Sequence, residues 1–330
     1  MSRRTRIEAW LNRRWYGARP IWWLLPFSVL FGAAVALRRA LYRMRILRAV
    51  DVGVPVVVVG NLTAGGSGKT PVTLAVVAGL RSAGFTPGIV SRGYGARVPG
   101  VRVLRDGDSA DAVGDEPALM AGRRTAPVAI GADRVAAAKA LRAARPDVDV
   151  LVSDDGLQHY RLARTVELVV VDGRRGLGNG ALQPAGPLRE PRSRLNRADA
   201  VLCNGSAREG MEAFKLVPGS ARRLDGAGER PLAEFRGTRV HAVAGIGDPR
   251  RFFDMLARLG VFVTPHPFPD HHRFRAQDID FDDGAMVLMT EKDAVKCLSF
   301  AHERAWFVPV DADLPAPVHE HILARLRPTE

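Results

Sequence analysis

Apolar positions fall into runs of three kinds along this chain. Pro20 to Leu37, PIWWLLPFSVLFGAAVAL, carries no charge; as a helix it is about 27 Å long, close to the roughly 30 Å hydrocarbon core of a bilayer. Val54 to Val59, Val148 to Ser153, Leu168 to Val171, Val240 to Ala244 and Ala285 to Met289 are short apolar runs ending at glycines or polar residues, as expected of strands buried on both faces of a parallel sheet. Val72 to Leu80 and Ala118 to Ala121 read as helical, and the Ala/Arg-rich Arg134 to Arg145 reads as an exposed helix. Alternating strand and helix predict an α/β fold with a mostly parallel sheet. The strand-to-helix pattern restarts at Val240, so the expected division is 1–48 for an N-terminal helix and linker, 49–235 for the main domain and 236–330 for a second, smaller α/β domain.

The segment after the first strand carries the strongest chemical signal. Gly60-Asn61-Leu62-Thr63-Ala64-Gly65-Gly66-Ser67-Gly68-Lys69-Thr70-Pro71 lies between that strand and the helical stretch, the order a phosphate-binding P-loop requires. Thr63, Ala64, Gly65, Gly66, Ser67, Gly68, Lys69 and Thr70 are the expected nucleotide-binding residues. Glycines let backbone N–H groups curl round phosphate oxygens, Lys69 reaches the β- and γ-phosphates, and the Thr70 hydroxyl is a magnesium ligand. The general pattern has its first glycine where this chain has Thr63, so the bend falls to Gly65 and Gly66.

P-loop enzymes hold magnesium with an acid at the end of a neighbouring buried strand. Asp154 and Asp155 follow one strand and Asp172 another; the adjacent pair can divide metal and solvent-ordering duties, whereas a lone aspartate is often a turn former. Asp115 and Glu116, in Gly114-Asp115-Glu116-Pro117, read as acids at a helix start. Phe268-Pro269-Asp270-His271-His272-Arg273-Phe274 reads as a polar loop, its adjacent histidines on opposite faces and ill placed to chelate one metal.

Charge and flanks refine the picture. The 330 residues carry a net charge of +13, so partners are expected to be anionic. Neither a nucleic-acid motif nor aromatics interleaved with the basic residues are present, so nucleic acid is not an expected partner. Arginines lie on both sides of the apolar run: Arg13, Arg14 and Arg19 before it, Arg38, Arg39, Arg43, Arg45 and Arg48 after. That symmetry suits a helix anchored at a membrane surface with Trp22 and Trp23 near the headgroups, and it argues against a cleaved export signal. Two cysteines, Cys203 and Cys297, are too few for a disulfide framework.

Taken in order, these motifs resemble one family across nearly the whole chain: the tetraacyldisaccharide 4′-kinases of lipid A assembly. The resemblance rests on the loop from Gly60 to Pro71, Ser91-Arg92-Gly93-Tyr94-Gly95, Gly114 to Pro117, Asp154-Asp155-Gly156-Leu157-Gln158-His159, Gly178-Asn179-Gly180 through Leu188-Arg189-Glu190-Pro191, Asp270-His271-His272 and Thr290-Glu291-Lys292-Asp293. It implies a two-domain kinase with a membrane-associating helix. The kinase would use ATP and Mg2+ to phosphorylate the 4′-hydroxyl of an acylated disaccharide lipid at the cytoplasmic face of a Gram-negative inner membrane. It also implies that Asp115 is the base and His271 its orienting partner, with His272 the alternative, that Lys69 is catalytic, and that Thr70 with Asp154 or Asp155 holds the metal. Arg92 would join Lys69 in spreading charge.

Two rival readings belong to other classes. Thr290-Glu291-Lys292-Asp293 approximates the guanine-reading pattern of GTPases, with its lysine one place late; a membrane-tethered ATPase acting on protein partners shares the loop and the helix.

Overall fold

The structure, a computed structural model, describes residues 10–206 and 208–327. Residues 1–9 of the expected N-terminal segment, Ala207 and 328–330 lie outside the described residues.

Strands β1 (Val56–Gly60), β2 (Pro87–Ser91), β3 (Arg102–Val103), β4 (Val128–Ile130), β5 (Val150–Asp154), β6 (Val166–Asp172), β7 (Ala200–Asn204) and β8 (Glu212–Pro218) stand in the order β8-β7-β6-β1-β5-β2-β4-β3. All neighbours are parallel except β3 and β4. The sheet is covered on both faces, which is why its strands read as unbroken apolar runs. Val57 and Val59 pack with Val72, Val76 and Leu80 of the helix Lys69–Ser82 on one side. Val56 and Val58 pack with Val135, Leu141 and Leu157 on the other.

A second sheet contains β9 (Ala221–Arg223), β10 (Glu229–Arg230), β11 (Arg239–Ala244), β12 (Phe262–Pro267), β13 (Met286–Thr290) and β14 (Ala305–Val308), in the order β10-β9-β14-β13-β11-β12. The chain then returns to the first sheet: β15 (Val310–Asp313) pairs antiparallel with β8, and the helix Ala316–Leu326 buries Val318, Ile322 and Leu326 in the first sheet's core.

Sheet membership therefore departs from the division expected at 235/236. The second sheet begins at Ala221, because β9 pairs antiparallel with β14. Its strands, ARR and ER, are too short and polar to register as apolar runs. The helix Arg134–Ala144 is likewise not an exposed one: Arg134, Val135, Ala137, Ala138 and Leu141 form a buried stripe, and Asp133 caps it by accepting from the amides of Val135 and Ala136. Small alanines make a weak stripe to read, since they bury little area.

The apolar N-terminal run forms a short 3-10 turn, Trp22–Leu24, leading into the helix Leu25–Arg43. Ser28 alone within that helix is buried. Its hydroxyl donates to the Leu182 carbonyl at 2.8 Å and accepts from the Ala185 amide at 3.0 Å, fastening the helix to the 182–185 loop. Trp22, Phe27, Val29, Leu30 and Leu37 stay exposed. A continuous apolar surface of that kind is uncommon on a protein that meets only water.

Candidate active site

The phosphate loop leaves β1 at Gly60, where a methyl group would sit 2.5 Å from Leu157 Cβ. Only glycine lets the loop and the segment after β5 come this close. Gly68, at φ +93°, takes the N-cap position of the helix Lys69–Ser82, so the unpaired amides of the first turn face the loop's interior. Asn61 braces the curl by donating to Ser67 Oγ at 3.2 Å and Gly65 O at 3.4 Å. Thr63 and Ala64 behave differently from the rest of the expected cradle. Thr63 bridges Leu188, and the Ala64 N–H donates to the Pro187 carbonyl at 2.9 Å. With that donor occupied, the amides free to meet phosphate begin at Gly65.

β5 lies beside β1 with Val59 paired to Asp154, which brings both aspartates to the loop's end of the sheet. Asp154 is fully buried and accepts from the hydroxyls of Thr73 (3.0 Å) and Ser91 (3.4 Å). Burial, then the charges of Glu116 and Asp155, push its pKa up against the pull of Lys69. Asp155 behaves oppositely. Burial works to raise its pKa too, but Lys69, 3.6 Å away, and Arg189, donating at 3.1 Å, hold it below the ordinary range. Asp155 also adopts φ +49°, a conformation costly for a residue with a side chain and typical of functional sites. Asp172, the other strand-end acid, turns away from this role: it accepts twice from Arg251 of the second lobe, at 2.6 and 2.7 Å.

Asp115 opens the helix Asp115–Gly122 with Gly114 in the N-cap position, so its carboxylate is not the cap. It accepts instead from His271 Nδ1 at 2.9 Å, across the two lobes. The ring of Tyr94 lies against that imidazole, centroids 5.2 Å apart. His272 points elsewhere, to Asp278 Oδ2 at 3.2 Å, and packs against Phe268 and Phe274.

The second lobe closes around these acids. Lys292 contacts Asp270 (3.1 Å) and Glu116 (3.5 Å), and Lys296 stands 3.9 Å from Asp115. Gly247 backs onto both Asp270 and the Gly66 amide. Asp115, His271, Asp270, Gly247 and the phosphate loop are thus contiguous. The resemblance of 290–293 to a guanine reader dissolves here: the buried Asp293 carboxylate accepts from Gly245 N, Thr290 Oγ1 and Lys296 inside its own lobe, and Lys292 faces Asp270 and Glu116.

Comparison with known proteins settles the family. Residues 20–327 match the family described as Tetraacyldisaccharide-1-P 4′-kinase. Proteins named tetraacyldisaccharide 4′-kinase are 54% identical in Aromatoleum aromaticum, over 93% of this chain and 94% of that protein, and 47% identical in Methylobacillus flagellatus, over 97% and 96%. The chain belongs to the tetraacyldisaccharide 4′-kinase family. It is accordingly a kinase. A crystal structure of LpxK from Aquifex aeolicus in complex with ATP superposes with a TM-score of 0.79 at 29% identity, covering 92% of this chain and 98% of that one.

Within this tetraacyldisaccharide 4′-kinase fold, several groups reach the site that local sequence patterns do not point to. Arg189 donates to both Asp155 carboxylate oxygens, at 3.1 and 3.2 Å. Arg134, 3% exposed, donates to the Gly131 carbonyl; burial pulls its pKa down to about 10, which leaves it charged near Asp155. A Gly-Ala-Asp-Arg turn before a helix gives no local hint of such burial. Arg92 lies exposed nearby. Among the described residues no three His, Cys, Asp or Glu side chains form a ready-made metal cage.

Proposed function

We propose that the chain transfers the γ-phosphate of ATP to the 4′-hydroxyl of a tetraacyldisaccharide 1-phosphate. The proposed setting is the cytoplasmic face of a Gram-negative inner membrane, with the Leu25–Arg43 helix at the lipid. The observation that carries this reading is the contiguity of the phosphate loop with a carboxylate–imidazole pair drawn from two lobes. A P-loop alone fits many nucleotide hydrolases; a base beside it, held by a histidine, is what an alcohol acceptor needs.

In this reading the amides from Gly65 to Thr70 and the Lys69 ammonium receive the triphosphate. Asp115 accepts the proton of the sugar hydroxyl as its oxygen attacks the γ-phosphorus and the bond from that phosphorus to the β,γ-bridging oxygen breaks, releasing ADP, and His271 fixes the carboxylate's direction. Arg92 adds positive charge near the transferred group. Closure of the second lobe keeps water from competing with the sugar. Magnesium fits the donor set: the Thr70 hydroxyl with Asp154 or Asp155 offers hard oxygen ligands, and Asp154, buried beside the carboxylates of Glu116 and Asp155, sits where a cation would be favoured. Bound there, the ion would offset the charge of the β- and γ-phosphate oxygens. Thr73 and Ser91 hold the fully buried Asp154, while Arg189 and Lys69 hold Asp155, whose side chain keeps 26% exposure.

The direct test is transfer of radiolabelled γ-phosphate from ATP to the detergent-dispersed disaccharide lipid in the presence of magnesium. Label on the 4′-position, dependent on the acceptor, supports the reading. Hydrolysis of ATP at the same rate with and without lipid would sink it.

A further inference from the structure

Tyr16 joins the segment that leads into the apolar helix to the phosphate loop. Its hydroxyl donates to the Ala64 carbonyl at 2.6 Å, across 48 residues. That carbonyl shares a planar trans peptide unit with the Gly65 N–H, so fixing the direction of one fixes the other, pointing the opposite way. The preceding peptide is pinned as well, because the Ala64 N–H donates to Pro187. Two anchors therefore set the backbone at the point where Gly65, at φ +102°, begins the curl.

Tyr16 is itself held between the lobes. The Arg175 guanidinium lies over its ring, 5.1 Å from the centroid, and donates to the Gly247 carbonyl at 3.1 Å. The neighbouring Trp15 fastens the same segment to the body without touching the loop: its indole N–H donates to Pro184 at 2.8 Å, and its carbonyl accepts from the Asn179 amide at 2.8 Å. Burial raises the Tyr16 pKa, which keeps the hydroxyl a donor at neutral pH.

We propose that Tyr16 is a positioning residue of the nucleotide site: by anchoring the Ala64 carbonyl it aims the Gly65 N–H at a triphosphate oxygen. The proposal rests on the ATP reading above.

The test uses the full-length protein in detergent, with ATP titrated at saturating acceptor. Tyr16→Phe keeps the ring beneath Arg175 and removes the hydroxyl, with its bond to the Ala64 carbonyl and its side-chain contacts to Thr63 and Arg175. The KM for ATP is expected to rise about fivefold, the weight of one neutral hydrogen bond. Turnover, the acceptor KM and the thermal midpoint should stay close to those of the unaltered protein. Trp15→Phe, which loosens the segment elsewhere, should leave the KM for ATP unchanged. An unchanged KM in Tyr16→Phe, an equal rise in both variants, or a fall in turnover and thermal midpoint together would overturn the proposal. Absence of any ATP-dependent transfer by the unaltered protein would instead overturn the kinase reading beneath it.

Discussion

Asp115 and His271 are 156 residues apart in the chain and meet at 2.9 Å. His271 itself adopts φ +59°, a strained conformation that the contact between lobes helps to hold. Burial works to raise the Asp115 pKa, but the His271 hydrogen bond and the ammonium groups of Lys296 and Lys292 outweigh it, and the net direction is down. A depressed carboxylate is ionised at neutral pH and loses its function as pH falls through that lowered value. Asp115→Asn is therefore expected to reduce turnover by about a hundredfold or more with little change in the KM for ATP. His271→Ala removes the donor, lets the Asp115 pKa rise, and should move the acid limb of the turnover profile to higher pH. A pH–rate profile of the two variants checks both; an acid limb that stays put in His271→Ala would detach Asp115 from the rate.

Asp172 and Arg251 form the second bond between lobes that deserves a measurement. The Asp172 side chain is 4% exposed and also accepts from the amides of Arg174 and Arg175. Removing its guanidinium partner leaves a buried carboxylate with backbone donors alone. Breaking a buried pair from one side costs about 3–5 kcal/mol; Arg251 is partly exposed and Asp172 keeps two N–H bonds, so the expected loss for Arg251→Ala lies at the low end. Denaturant unfolding of Arg251→Ala, Asp172→Asn and the double variant measures it. Additive losses would mean that the two residues do not act as a pair.

The parts of this molecule that could be read in sequence are those whose physics is local. β1, the glycine loop and the Lys69 helix are consecutive, and each announces itself through its own residue types. The second sheet's start could not be read, because β9 gains its place from pairing with β14, more than 80 residues later. Arg134 was misplaced for the same reason: a charged residue at a helix start looks solvated until the strand ends beside it are known. Asp115 read locally only as an acid at a helix start, and its expected role as base came from the resemblance; its partner His271, 156 residues away, is a contact no local pattern could show. Tyr16 gave no signal at all, since its partner is a backbone carbonyl, to which any sequence contributes equally.

Gly60 offers a test of how tightly the loop depends on the acids' segment. A methyl there would lie 2.5 Å from Leu157 Cβ and 3.0 Å from Leu157 N, and Leu157 follows Asp155 by two residues. Both partners are buried, so neither can swing aside. Overpacking of this kind costs about 1–3 kcal/mol. Gly60→Ala is expected to lower the thermal midpoint and, by displacing Asp154 and Asp155 from the loop, to raise the magnesium concentration needed for half-maximal transfer. Calorimetry and a magnesium titration report the two effects separately. A lowered midpoint with an unchanged magnesium requirement would show that the strain is absorbed away from the acids.

The exposed face of the Trp22–Arg43 stretch sets the last expectation. Mean hydropathy there is 1.6, yet little of it is buried against the protein; Trp22 is 78% exposed, Leu30 68% and Phe27 58%. Each such side chain gains about 1.5–3 kcal/mol when it leaves water, so three together contribute about 5 kcal/mol or more, at least several thousandfold in partitioning. Trp22, Phe27 and Leu30 changed together to serine should release the protein from lipid vesicles in a flotation assay. Ser28, which fastens the helix to the 182–185 loop, is untouched, so transfer to a detergent-dispersed acceptor should survive. The arginines on both flanks provide an electrostatic attraction that salt weakens and the apolar face does not feel. Flotation at low and high salt therefore separates the two contributions: the unaltered protein should stay with the vesicles in both, the serine variant in neither or only at low salt. A serine variant that floats at high salt would mean that some other surface holds this kinase to lipid.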